Sequence, residues 1–319
     1  MSEQNINTDF MTSVLAITAE KYIPKLQDNV YGYNAALKMI SEKDSVSFTK
    51  SGESIICPVL IEGTSNGKAY GAYDNFDMSP QKGIVDASAK IRQYAEPITI
   101  SDAEIRINSG KEQIVNIMSA RLQIADMALK NRIQGHMYGD GTADGGNALL
   151  GLGAMVEEKV AASQGEYMNI TSDAWVNQYA TSSAGVLLAT MDTLDVACGD
   201  GSDMTNLILA DSKFYNLYQA AARSAAGGGG TMLTDPKMAE LGFRNVMYKG
   251  VPVVLDKTIS ASVGKAYFLN TNYLGFLFDN IRTTEFVRSG NSLVRSAFLD
   301  TATQLITNNR RRQGVLVLS

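Results

Sequence analysis

Histidine, cysteine and tryptophan are nearly missing from this sequence: His136 stands alone, Cys57 and Cys198 are the two cysteines, and there is one Trp among 319 residues. With one histidine, any nucleophile-and-base pair has a single candidate base, and a metal site using two histidines of one chain is excluded. The cysteines lie far apart, so there is neither a CxxC motif nor a disulfide framework. Positive charge is also scarce. The 28 Lys and Arg against 33 Asp and Glu leave a net charge of −5, which argues against a strongly basic nucleic-acid binder, whose affinity comes from clustered Lys and Arg. Charged residues make up 19%, below the roughly one quarter usual for soluble chains. With 28 Gly and only 6 Pro, this composition implies that much of the surface is covered by something other than water. Apolar runs are short; stretches such as Val251–Leu255 are far from the roughly 20 residues of a membrane span.

What is present excludes disorder, since 45% of the residues are hydrophobic, and the length suits roughly two domains with a sizeable core. Met1–Thr8 has no basic stretch leading into an apolar core, so no signal peptide is read and a reducing cytoplasm is the expected setting. Residues 1–44 read as an arm: Phe10, Val14, Leu15 and Ile17 are its scattered apolar residues, Pro24 breaks any long helix, and there is too little apolar surface to fold alone. From Val46 the period becomes two. Val46–Lys50, Ile55–Ile61 and Val85–Arg92, the last with apolar odd positions, read as strands around a polar Gly-, Asn- and Tyr-rich tip at Glu62–Lys82. Such a hairpin is marginal alone and is expected to lean on a neighbouring chain or on its own sheet.

Ser101 to Glu104 and Ser109 to Glu112 are consecutive capping boxes, predicting a short helix, a kink and a restart. The restarted helix carries Ile114, Ile117, Met118, Arg121, Ala125, Ala128, Leu129 and Arg132 on one stripe, widened by Leu122 and Ile124, and runs to about Tyr138, a strut of about 42 Å. Six glycines in Gly139–Gly153 mark a flexible joint and a domain boundary. Beyond it the pattern is mixed: a helix over Ser182–Ala197, a strand over Asn206–Ala210, a helix from Phe214 to Ala222 capped by Asp211 or Ser212, a mobile loop at Ala225–Gly230, and strands around Val246, Val253, Phe268 and Leu274–Phe278. Ala302–Leu318 is strand-like with a charged middle.

No motif here carries chemistry. Asp140 to Asp144 is half a calcium loop without the closing Glu, so turn-forming Asp in a glycine-rich joint is the favoured reading. Gly227–Gly230 lacks the Lys-Ser/Thr of a P-loop. His136, near a helix end, is expected to meet terminal carbonyls. Arg310, Arg311 and Arg312 on a strand would project to both faces, which suits solvated side chains or intersubunit ion pairs better than a phosphate track.

Three stretches together resemble the tailed-bacteriophage major capsid proteins of the Hong Kong 97 type. Gly71-Ala-Tyr-Asp-Asn-Phe-Asp-Met-Ser-Pro80, running into Ile98-Thr-Ile-Ser-Asp-Ala-Glu-Ile-Arg106 and Asn108-Ser-Gly-Lys-Glu112, is similar to the hairpin-to-spine-helix junction of that family. Tyr138-Gly-Asp-Gly-Thr142 resembles the end of its spine helix, and Asn308-Asn-Arg-Arg-Arg-Gln-Gly-Val-Leu316 its closing strand. The resemblance spans most of the chain. It implies an α+β fold with an arm (1–44), an extended hairpin loop (45–100), a peripheral domain with the spine helix (101–149), a mixed α/β axial domain (150–290) and a C-terminal strand returning to the peripheral domain (291–319).

The implied function is structural: hexamers and pentamers closing an icosahedral phage head around double-stranded DNA, with no catalysis, no cofactor and no metal. Implied partners are further copies of the chain, a separate scaffolding protein, a portal protein, a decoration protein, and packaged DNA bound without sequence specificity; no membrane is involved. The setting is the virion, assembled in the bacterial cytoplasm. Assembly contacts are expected at Lys68, Tyr70, Tyr73, Glu104, Arg106, Glu112, Arg121, Arg310, Arg311 and Arg312. The alternatives are an encapsulin-like nanocompartment shell, a ring-forming virion protein such as a tail tube, and a carboxylate-dependent enzyme. Some family members cross-link a loop Lys to a neighbour's Asn; Lys68 lies in the hairpin tip, but no acceptor motif or catalytic carboxylate matches. Mature particles are therefore expected to run as a single band on denaturing gels, and a ladder of covalent multimers would overturn this.

Overall fold

A computed structural model of the chain describes residues 49–61, 83–107, 111–171, 174–201, 203–225, 245–260, 264–284 and 293–319, with Val287–Arg288 and isolated positions between 66 and 79. The arm at 1–44, Lys68, Tyr70, Tyr73, the kink at 108–110 and the loop after Ala225 lie outside the described residues.

The hairpin forms where alternation predicts it. β2 (Ser54–Leu60) pairs antiparallel with β3 (Ile84–Lys90), from Ser54 opposite Lys90 to Leu60 opposite Ile84, and β1 (Thr49–Ser51) adds to the outer side of β2. Ile55, Cys57, Val59, Ala87 and Ala89 share one buried face. That face leans on its own chain: it belongs to the cluster of Tyr167, Met168 and Ile170, and Ser88 N–H donates to the Met168 carbonyl at 3.0 Å. Of the two expectations for the hairpin, packing on its own chain is the one seen along β2 and β3.

After Ile91 the chain continues as β4 (Arg92–Ser101), then α1 (Asp102–Ile107) and α2 (Lys111–Met137). At 27 residues, α2 is about 40 Å long. Its buried line is Leu122, Ala125, Leu129, Ile133 and Met137, spaced by three and four residues as one helix face requires. Ile124, read from the sequence as widening this stripe, is 56% exposed, because two residues along a helix turn the side chain about 200° away. Asp126 and Lys130 are buried instead, as an ion pair with Nζ 2.5 Å from Oδ2. Burial pushes the Asp126 carboxyl up, with Lys130 opposing.

β4 pairs along its length with β13 (Val294–Thr307), whose other side takes β10 (Leu274–Phe278), β11 (Arg282–Thr283) and β12 (Val287–Arg288). A second, six-stranded sheet has the order β5-β14-β9-β6-β8-β7, built from β5 (Gln178–Ser182), β6 (Leu207–Ala210), β7 (Asn245–Tyr248), β8 (Val251–Leu255), β9 (Lys265–Leu269) and β14 (Gly314–Leu318). Its central strands are apolar throughout because both faces are buried. Leu207, Leu209, Tyr267, Leu269, Val315 and Val317 face the main core; Ile208, Ala210, Ala266, Phe268, Leu316 and Leu318 face α5 (Leu187–Cys198) and α6 (Ser212–Ala225). α5 starts five residues later than its pattern suggests, since Gln178–Ser182 pairs in parallel with β14. Asp211 caps α6, its Oδ1 accepting from Phe214 N at 2.6 Å. Residues 291–319, expected to return as one strand to the helix side, divide between the sheets, and β10–β12 side with β13 rather than with the six-stranded sheet.

The glycine-rich segment after α2 is packed rather than loose. It includes the short turns α3 (Ala143–Gly146) and α4 (Leu152–Met155), and Leu149, Leu152 and Met155 are fully buried. A Cβ on Gly151 would stand 2.4 Å from the carbonyl oxygens of His136 and Met137. Glycine is there so that this loop can touch the bare end of α2. Replacing Gly151 by Ala is expected to cost about 3 kcal/mol through overpacking, read as a fall in the chain's melting temperature; an unchanged transition would show that the close approach is not needed.

Candidate assembly site

Among the described residues, those expected to make assembly contacts fall into two structural groups. At the N-terminus of α1 the capping box forms as the sequence suggests: Ala103 N donates to Ser101 Oγ at 3.2 Å and Ser101 N to Glu104 Oε2 at 3.4 Å. Glu104 also accepts from Arg121 Nη2 at 3.0 Å, bringing two of the expected residues together and tying α1 to α2. Both are about two-fifths exposed, so the pair is worth under about 1 kcal/mol. The more sheltered tie is Arg295 on β13, whose Nε lies 3.0 Å from Asp102 Oδ1. Arg106 lies in α1 and Glu112 in the first turn of α2; their side chains are outside the described ones.

The arginine triplet is not on a strand. It forms a 3-10 turn, Arg310–Arg312, between β13 and β14, because Asn308, Asn309 and Gln313 interrupt the apolar alternation where the chain changes sheets. Arg310 points inward and is fully buried. Its Nε donates to the Met155 carbonyl at 2.7 Å, Nη1 to the carbonyls of Gly165 and Trp175, and Nη2 to the Ala154 carbonyl and to Glu157 Oε1 at 3.0 Å. All five N–H groups of the guanidinium are thereby used, and the Tyr167 ring lies 5.3 Å from its carbon. Burial opposes the charge on Glu157, but bonds from Lys159, the Gly165 N–H and Arg310 outweigh it and hold its carboxyl below the usual range. Arg312 and Arg311 instead border an outer cleft, Arg312 bonding to Asp200 at 2.7 Å.

His136 meets side chains rather than terminal carbonyls. The Tyr94 hydroxyl accepts from Leu149 N at 3.0 Å and lies 2.9 Å from His136 Nδ1, while His136 Nε2 lies 3.8 Å from Asp144 Oδ2. Asp144, at φ +52°, also faces Arg132 at 3.6 Å, and Arg132 reaches Glu96 of β4 at 3.7 Å. Asp140 Oδ1 accepts from both N and Oγ1 of Thr142. Both acids of the supposed half-calcium loop are therefore engaged in holding the turn. Beside it is a cleft of about 640 Å³ lined in part by Tyr138, Glu157, Glu158, Lys265 and Tyr267, where Lys265 pairs with Glu158 at 2.7 Å and Lys159 with Glu157 at 3.0 Å.

Two surfaces escaped the sequence reading. At the loop end of the hairpin Leu60 and Ile84, opposite each other, are 73% and 67% exposed. On the five-stranded sheet, Ala297 and Leu299 of β13 are buried while Phe298, 45% exposed, stands opposite Pro97 on the other face, with Val294, Ser296, Thr99 and Val287 around it. Alternation along β4 and β13 signals that one face is buried, but both faces carry apolar residues, so period alone does not say which one is bare.

No protein-family model and no curated protein sequence matches the chain. Solved structures do. The capsid asymmetric unit of Cyanophage A-1(L) superposes with a TM-score of 0.63 at 16% identity, covering 88% of this chain and 92% of that one. The capsid of Myoviridae Phage XM1 gives 0.54 at 12% identity, over 86% and 90%. The fold is that of the Hong Kong 97-type phage capsid proteins. An encapsulin from Synechococcus elongatus PCC 7942, the SrpI complex, is also similar, at 0.52 and 11% identity over 89% and 88%. Among the described residues no helix is long and apolar enough to cross a membrane.

Arg310 sets the expectation for this region. Arg310→Ala, which strips the donor from four carbonyls and Glu157, is expected to cost at least about 3 kcal/mol, and Arg310→Lys, with three donors for five acceptors, is expected to recover only part of it. Urea unfolding checks both; equal midpoints for Lys and Arg would show that charge alone matters. The lowered Glu157 value adds a pH dependence. Its stabilisation is complete above the ordinary glutamate value of about 4.3 and disappears as the pH falls through the lower folded value, so Glu157→Gln is expected to flatten the loss of stability in that acid range.

Proposed function

We propose that this chain is the major capsid protein of a tailed phage. Copies assemble through heterologous contacts into hexamers and pentamers, and these close an icosahedral head around double-stranded DNA. The carrying observation is the pair of bare apolar surfaces, the hairpin end at Leu60 and Ile84 and the sheet face at Phe298, on a fold shared with phage capsids. Two different patches on one chain suit head-to-tail contacts, which close rings. In this reading the hairpin overlaps the next subunit, α1, α2 and β4 with β13 form the peripheral part, and the six-stranded sheet with α5 and α6 forms the axial part. The expected contacts at Lys68, Tyr70, Tyr73, Glu104, Arg106, Glu112 and Arg121 belong to the hairpin tip and the spine junction. The chain is structural rather than catalytic and resides in the virion. A separate scaffolding protein guides closure, a portal occupies one vertex, and a decoration protein can be added. Net charge of −5 is compatible with a shell that confines DNA without neutralising it.

The likeness to an encapsulin supports a second reading, a shell around protein cargo. Negative-stain electron microscopy with light-scattering mass tests the shared part: rings of five or six subunits or polyhedral shells support assembly, and a monomer that stays so with any scaffold overturns it. Nuclease-resistant DNA inside particles from the native host selects the phage head, and protein cargo selects the compartment. Phe298→Asp is expected to weaken subunit association by about 2 kcal/mol while circular dichroism of the monomer stays unchanged; full assembly by that variant would remove the sheet face from the interface.

A further inference from the structure

We propose that Arg311 and Arg312 form a seat for a carboxylate of a second copy of this chain; this rests on the shell reading above. A 3-10 turn sends successive side chains about 120° apart, so burying Arg310 turns its two neighbours outward. Together with Ala197, Gly199, Asp200 and Asn309 they line a polar cleft of about 310 Å³. Arg312 is held in place. Its Nη2 lies 2.7 Å from Asp200 Oδ2, and its guanidinium sits 6.0 Å from the Tyr273 ring. The Tyr273 hydroxyl in turn donates to Asp203, which also accepts from Asn270 Nδ2 at 2.9 Å. Arg311 is different: it is exposed, and among the described residues it has no ion pair or hydrogen bond.

In the cleft Arg312 is matched by Asp200, itself 77% exposed, with Asp203 also close enough to act on it, whereas Arg311 beside them has no ion-pair partner among the described residues. Arg311 thus offers planar, paired donors, the geometry that carboxylates match. A chain with net charge −5 brings an excess of Asp and Glu to any contact with its own copies. A single uncompensated cation is too little for a DNA track, where affinity needs several phosphates neutralised together. The turn also lies at the passage from one sheet to the other, so a neighbour's carboxylate bound there would bear on both.

Arg311→Lys provides the test, because it keeps the charge and supplies a primary amine. A water-soluble carbodiimide joins such an amine to a carboxylate in salt-bridge range: the amide forms with loss of water, which the carbodiimide takes up to become its urea. Particles are assembled from equal parts of 15N-labelled and unlabelled Arg311→Lys chains, treated, digested and read by mass spectrometry. The expected result is an isopeptide between position 311 and an Asp or Glu with mixed isotope labels, which only two different chains can give. Assembled particles in which position 311 is unjoined, or joined only within one chain, overturn the seat while leaving the shell reading standing. Absence of any assembly by light scattering removes the shell reading and the seat with it. As a second measure, Arg311→Ala is expected to raise the concentration for half-assembly about tenfold at low salt, with the gap closing in high salt. Unchanged assembly with altered DNA retention would overturn the carboxylate in favour of phosphate.

Discussion

Arg310 sits where the chain leaves one sheet and enters the other, and the relation between the sheets depends on how that turn is held. β13 ends at Thr307 and β14 begins at Gly314; the guanidinium between them collects carbonyls from Ala154, Met155, Gly165 and Trp175 and the carboxylate of Glu157. Those carbonyls belong to the single-turn α4 and to the loop segments after it, outside both sheets. A buried cation with all donors used fixes loop, turn and both strand ends at once, because each bond lost would leave a desolvated polar group.

From that anchor the two halves follow different packing rules. The six-stranded sheet is covered on both faces, so its central strands are apolar throughout and its order is set by which face each residue meets. Among the described residues α2 packs on one face of the five-stranded sheet, while Phe298, Pro97 and Val294 are exposed on the other. α2 is long because it spans the length of β4 and β13, with Glu96 meeting Arg132 and Tyr94 meeting His136 near its end. A long helix and a sheet with apolar residues on its outer face are what a subunit needs if part of its core is completed by its neighbours.

The elements were largely legible in the residues. Alternation located the hairpin, capping residues located the starts of α1 and α6, and three-and-four spacing located α2 and α6, since each of these signals is local. The joint after α2 was misread: glycine density looks the same whether it serves looseness or close approach, and only the carbonyls of His136 and Met137 distinguish the two. The arginine triplet was misread for a related reason, since its strand-like surroundings hide the turn that buries one side chain and exposes two. Glu104 and Arg121, expected at assembly contacts, pair with each other within the chain; Phe298 and Leu60 carry no signal in the sequence, because an apolar residue on a strand bears no mark of which face will be covered.

The amino-acid sequence by itself determined the classes of element, their order, the poverty of catalytic groups and the family resemblance, all of which depend on residue type and short spacing. The tertiary structure alone decided which faces are bare, that β13 and β14 part into different sheets, and that Arg310 is internal while Arg311 and Arg312 face out. Those outcomes arise from contacts between residues some 150 positions apart, and pairing over such distances is settled by total burial and satisfied hydrogen bonds rather than by any local pattern.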